Sequence, residues 1–126
     1  MKTIINTNNA PAPIGPYSQA VAAGNFIFLS GQIALNPATG ALVTDDIKTE
    51  TRQVMENIKA ILIEAGIDFS NIIKTSIFLM DMQNFAQVNE VYGTYFKDNF
   101  PARETIQVAG LPKGVNVEIT VTAIKS

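Results

Sequence analysis

An α+β domain, one mixed sheet with two helices on a single face, is the fold this sequence predicts. Three observations carry that expectation. Apolar residues recur at helical spacing between Asp46 and Gly66, and strict alternation runs from Asn116 to Ile124. Short β-branched or aromatic runs elsewhere are punctuated by glycine and proline turns. The 126 residues show no repeat, linker or low-complexity tract, so residues 1–126 read as one domain.

The elements follow in order. Gln19–Ala23 and Phe26–Leu29 flank Gly24-Asn25, a pair that tolerates the positive φ of a tight turn, and form a hairpin. Asn36–Gly40 makes a second turn, and a further short strand is expected before the first helix. That helix lies between Asp46 and Gly66, with Val54, Met55, Ile58, Ile61 and Leu62 on its apolar face. Asp45 or Asp46 can cap its start, and Gly66 suits the left-handed position after its end. Ile72–Met80 reads as a buried strand. Asp81 can cap a second helix, whose face carries Phe85, Val88, Tyr92 and Phe96 and which ends before Pro101. Gly93 inside it costs about 1 kcal/mol against alanine, and marks either close helix packing or a mild weakness. Strands Glu104–Ala109 and Asn116–Ile124 complete the chain, joined by Gly110–Gly114.

Composition narrows the chemistry. The chain has neither cysteine nor histidine, so disulfides, thiol nucleophiles, imidazole bases and soft metal ligands are unavailable to it. No metal and no organic cofactor is expected. The net charge is −2 with lysines and arginines dispersed, which disfavours a nucleic-acid partner. No apolar run approaches the roughly 18 residues of a membrane span. The first residues lack the apolar core and small-residue cleavage site of a secretory leader, so a cytoplasmic protein is expected. Only 16% of residues are charged, which fits a surface partly covered by partner subunits.

Arg103 is one of two arginines, placed where a loop enters an apolar strand. It is either a surface arginine or a clamp for a carboxylate, since its planar fork of donors matches that group. Glu118 falls opposite Val117, Ile119, Val121 and Ala123, among Asn116, Thr120 and Thr122. Such a face suits either solvent or a polar cavity between subunits. Ser30 lacks any histidine to take its proton, so it reads as a donor or backbone anchor, and Gly31 beside it permits close approach of a ligand. Lys74 is a snorkelling strand lysine or, if desolvated, an amine nucleophile. Tyr17 is a turn-packing aromatic or a pocket wall.

Together these segments resemble the RidA/YjgF family of imine and enamine deaminases. The resemblance runs end to end. It rests on Ala10–Ala20, Leu29-Ser30-Gly31-Gln32-Ile33, Asn57–Gly66, Lys74–Leu79, Phe85–Asn89, Pro101-Ala102-Arg103, and Leu111–Val115 with Glu118. It implies a chorismate-mutase-like α+β fold, assembled as a homotrimer with ligand clefts between subunits. Arg103 would then grip the substrate carboxylate and Glu118 would orient the attacking water. Tyr17, Ser30, Gly31, Asn89 and the main chain of Thr105 would line the cleft. The implied substrates are 2-aminoacrylate and 2-aminocrotonate or their 2-imino acid tautomers, and the products a 2-oxo acid and ammonia. Two departures stand out. The deaminase branch commonly has Ser-Cys where this chain has Glu104-Thr105, and an arginine where it has Gly110. Alternation turns Glu104 away from Arg103 and Thr105. The alternatives are a 2-oxo acid-binding trimer without turnover and an RNA-acting translation inhibitor or ribonuclease, the latter disfavoured by charge and by the missing histidines.

Overall fold

The computed structural model describes all 126 residues. Strands β1 (Lys2–Ile5), β2 (Ala20–Ala23) and β3 (Phe26–Leu29) precede helix α1 (Ile47–Glu64). Strand β4 (Ile72–Leu79), helix α2 (Phe85–Gly93), β5 (Ala102–Gln107) and β6 (Val117–Ile124) follow. The sheet order is β1-β2-β3-β6-β4-β5, antiparallel throughout except that β4 and β5 run parallel. The crossover helix between those two is α2, as a parallel pair requires.

The expected periodicities produce this arrangement. In β6, Val117, Ile119, Val121 and Ala123 are buried against Ile58, Ile61 and Leu62 of α1, while the alternate residues stay half-exposed. Asp46 caps α1 by accepting from the Thr49 N–H at 2.8 Å, and Gly66 follows its end at φ +79°. Val88 and Tyr92 of α2 join the same core, so both helices cover one sheet face. Glu50 is completely buried in α1. Its carboxylate accepts from Asn116 N (2.7 Å), Asn116 Nδ2 (2.8 Å) and Val117 N (3.2 Å), which fixes where β6 begins.

Three expectations need correction, and one strand is additional to those expected. Strand β1, with the β-branched residues Thr3, Ile4 and Ile5, precedes the hairpin. It is a short edge, exposed along most of its length and paired only with β2. The short strand expected before α1 reduces to an isolated bridge between Leu35 and Leu42. Helix α2 stops at Gly93, where the next turns tighten through Tyr95 N to Tyr92 O and Phe96 N to Gly93 O. A methyl group at Gly93 would meet nothing within 4 Å, so close packing does not explain that glycine. Finally, β5 begins at Ala102 because β4 offers a parallel partner from Lys74 onward. Arg103 therefore lies inside a strand, not in the loop before it.

Candidate functional site

The helix-facing side of β5 carries Arg103, Thr105 and Gln107 in alternation. The guanidinium carbon of Arg103 sits 5.2 Å from the centroid of the Tyr92 ring and 5.6 Å from that of Phe85. Stacking of this kind contributes about 0.5–2 kcal/mol and leaves the edge of the guanidinium free to donate. No carboxylate claims it, since the ion pairs of the chain are Lys48–Glu90 and Lys74–Glu104. Tyr92 is held in turn by its hydroxyl, 2.9 Å from Thr75 Oγ1. Burial pushes the Tyr92 phenol above its ordinary pKa, with the Thr75 hydrogen bond and the Arg103 charge acting the other way.

A cavity of about 320 Å³ opens in front of Arg103, lined by Asn89, Tyr92, Gly93, Phe100 and Pro101. Asn89 Oδ1 and Thr105 Oγ1 are buried and have no hydrogen-bond partner. As an edge strand, β5 is paired on one side only. Val108 N donates to Leu79 O. By the alternation of a parallel ladder, the main-chain groups of Thr105 therefore point to the open edge. An unpaired guanidinium beside a free strand edge is chemistry that matches a small anion.

Glu118 lies on the other face of the sheet. Phe78 pairs with Glu118 on one side and Ile106 on the other, which places Glu118 with the even-numbered residues of β5 and opposite Arg103. Its carboxyl is half-buried, and that burial raises its pKa above the ordinary glutamate value. Gly31 packs against it, brought there by the bridge between Gln32 and Ile119. Tyr17 and Gly31 line a small cavity of about 50 Å³ with Pro11, Gln19 and Lys113. Ser30 donates its hydroxyl to Ser18 O at 2.6 Å, the backbone-anchor role expected for it.

Within the chain the candidate site residues thus form two groups, Asn89, Arg103 and Thr105 on one sheet face and Tyr17, Gly31 and Glu118 on the other. Glu104 turns away from Arg103, as alternation required, and bonds Ser76 Oγ at 2.7 Å with Lys74 at 3.7 Å. Lys74 is half-exposed in that pair, a surface role and not a desolvated amine. The Glu118 face differs from a purely polar lining, because Phe26, Phe28 and Ile106 are 44%, 48% and 45% exposed on it. In the sequence Phe85 and Tyr92 mark only one face of a helix. Their spacing of seven residues, two turns of one helix, was the available sign that they could carry a cation together. No group of three or more acidic side chains gathers as a metal site, and no helix is long and apolar enough to cross a membrane.

Residues 7–125 match a family model described as endoribonuclease L-PSP. A RutC family protein of Pyrococcus horikoshii is 54% identical over 99% of this chain and 99% of its own length. The human 2-iminobutanoate/2-iminopropanoate deaminase is 47% identical over 99% of this chain and 91% of that protein. Among solved structures, the YjgF gene product of Escherichia coli superposes with a TM-score of 0.94 at 44% identity, covering 98% of this chain and 99% of that one.

Proposed function

The chain belongs to the RidA/YjgF family, and from that premise we propose that it hydrolyses reactive 2-imino acids and their enamine tautomers to 2-oxo acids and ammonia. The observation that carries this reading is the unpaired Arg103 guanidinium, fixed on two aromatic rings at the mouth of a cavity sized for a small acid. A bidentate contact to carboxylate is the natural use of such a fork, and each hydrogen bond to a charged group contributes about 1.5–3 kcal/mol. The carbon of a 2-imino acid is already electrophilic. Water adds to it while Glu118 takes one proton from the water and passes it to the imine nitrogen, giving a neutral 2-amino-2-hydroxy acid. The hydroxyl proton of that adduct then moves by way of Glu118 to the nitrogen as the carbon–nitrogen bond breaks, so that the 2-oxo group forms and ammonia leaves. A positioned carboxylate base supplies about 10²–10⁴-fold in such a step.

One sheet cannot present Arg103 and Glu118 to the same small molecule from opposite faces. The reading therefore includes a second copy of the chain that brings its own Glu118 group to the Arg103 cavity, in a homotrimer with clefts between subunits. The open edge of β5 and the exposed Phe26 and Phe28 support such a neighbour. The test adds purified protein to a threonine dehydratase reaction and follows 2-oxobutanoate. Release faster than spontaneous imine hydrolysis is expected, and no acceleration at any protein concentration refutes the reaction.

A second reading is a 2-oxo acid-binding trimer without turnover, favoured by the completeness of the Arg103 group without Glu118. Glu118→Gln separates the two, because a binder does not need that carboxylate. The description of the family as endoribonucleases fits this chain less well, given its net charge of −2 and its lack of histidine.

A further inference from the structure

Glu118 sits where its strand has lost a neighbour. On one side β6 pairs with β4 along its length, from Val117 to Ala123. On the other side it pairs with β3 only from Ile124 to Thr122. Beyond Thr122 the register slips. Phe28 pairs with Thr122, but the next pairing is the bridge between Gln32 and Ile119, so four steps along one chain match three along the other. The extra residue is a bulge of the kind that re-aims side chains, and it brings Gly31 against the Glu118 carboxylate.

Successive N–H groups of a strand point to alternate sides. Asn116 O accepts from the Met80 N–H at 3.1 Å on the β4 side, so the N–H groups of Val117 and Ile119 point to the side that β3 has left. Ile119 N donates to Gln32 O at 3.1 Å. Val117 N donates to Glu50 Oε2 at 3.2 Å. These two acceptors bracket Glu118. One is main chain just after the bulge. The other is a side chain of α1 that stands in for the absent strand.

The Glu50 side of the bracket is the stronger. The same Oε2 takes the Asn116 N–H at 2.7 Å, and Oε1 takes Asn116 Nδ2 at 2.8 Å. Bonds to an ionised acceptor are roughly twice as strong as neutral ones. Burying a carboxylate completely is costly, and strand ends are ordinarily satisfied by main chain or water. Its presence here is explained if the residue it helps to hold has to stay in one place. A base misplaced by about 1 Å can lose on the order of 10²-fold in rate.

We propose that Glu50 is a positioning residue: its carboxylate replaces the missing β3 contact beside Val117 and thereby fixes Glu118 for its task as base. The proposal rests on the reading of Glu118 as that base. It goes beyond that reading by assigning the alignment of the base to a side chain that never meets the substrate.

The experiment combines steady-state kinetics of imine hydrolysis, calorimetric binding of 2-oxobutanoate and thermal unfolding. Aspartate at position 50 keeps the charge but ends one carbon, about 1.5 Å, short of the strand. Glu50→Asp is expected to lower kcat about tenfold or more while leaving KM and 2-oxobutanoate affinity within about twofold, because the Arg103 group lies on the other sheet face. Glu50→Gln keeps the reach and should hold kcat within about threefold of wild type. Added to Glu118→Gln, the Glu50→Asp change should cost nothing further, since it acts only through the carboxylate already removed. Wild-type kcat in Glu50→Asp overturns the proposal. So does an equal loss of kcat and affinity, a full further loss in the double variant, or a Glu50→Asp chain unfolded at the assay temperature, each of which gives Glu50 to the fold at large. Glu118→Gln separates the two levels. If it turns over as wild type does, the base reading falls and the Glu50 role with it; if it is slow while Glu50→Asp is not, only the Glu50 role falls.

Discussion

A β-carbon at Gly31 would lie 2.0 Å from Glu118 Oε2 and 2.9 Å from its Cδ. Gly31 does not occupy the positive-φ region, so the backbone itself would accept alanine there. What excludes a side chain is the carboxylate. Gly31→Ala is therefore expected to fold, to push Glu118 out of place, and to lower kcat toward the level of Glu118→Gln. Steady-state kinetics and thermal unfolding on both variants check this. A fully active Gly31→Ala would mean that the position of Glu118 does not matter to turnover.

Burial raises the Glu118 carboxyl above the ordinary glutamate value. As a base it works only when ionised, so kcat is expected to rise with pH through a pKa above about 4.5, and Glu118→Gln should remove that limb. Stability runs the opposite way. The folded chain holds the proton more tightly than the unfolded one, so Glu118 favours folding below its unfolded pKa. That contribution is lost as pH rises through the folded value. Glu118→Gln should accordingly be no less stable than wild type at neutral pH, while turning over ~10²-fold more slowly.

The stacking of Arg103 on Tyr92 separates ring from hydroxyl. Tyr92→Phe keeps the platform but strands Thr75 Oγ1 in the core, so it should lose about 1–2 kcal/mol of stability with ligand affinity nearly intact. Tyr92→Leu removes the platform and is expected to raise KM more than it lowers kcat. Arg103→Ala should abolish both binding and turnover, and Arg103→Lys should rescue little because ammonium lacks the planar fork.

Glu50 is a buried carboxylate satisfied by N–H groups alone. Glu50→Leu would leave those donors unpaired and is expected to cost about 3 kcal/mol in denaturant unfolding. Glu50→Gln should cost far less. Its amide oxygen can still take the two main-chain N–H groups, and the Asn116 amide can turn to offer an oxygen to the new NH2.

If a cleft takes Arg103 from one subunit and Glu118 from another, two inactive variants can complement. Arg103→Ala and Glu118→Gln chains, unfolded together and refolded, should recover about a quarter of the wild-type sites, as random assembly of a cyclic oligomer requires. Activity of the mixed sample against either parent is the measurement. No recovery would confine the site to one subunit.

Much of this architecture was legible because it rests on local periodicity. The alternation in β6 and the apolar stripe of α1 are properties of single segments, and both appear where expected. Alternation also gave the correct separation of Glu104 from Arg103. What the sequence could not supply was pairing between distant strands. Arg103 entered a strand because β4 is its parallel neighbour, and it faces away from Glu118 because Phe78 lies level with both Ile106 and Glu118. The platform under Arg103 was hidden for a related reason. Phe85 and Tyr92 look like core residues until the crossover brings β5 beneath them.

The place of β6 in the sheet has a consequence for how the chain is made. Its neighbours are β3 and β4, so the N-terminal hairpin and the β4–α2–β5 unit meet only through it. Phe26 pairs with Ile124 across nearly the whole chain. On the ribosome every other strand emerges first, and until β6 follows there are two half-sheets, each with an uncovered edge. The central strand is thus the last of the six to be synthesised. The interval before it emerges and the sheet closes is when a nascent chain is most open to chaperones and to aggregation with its neighbours.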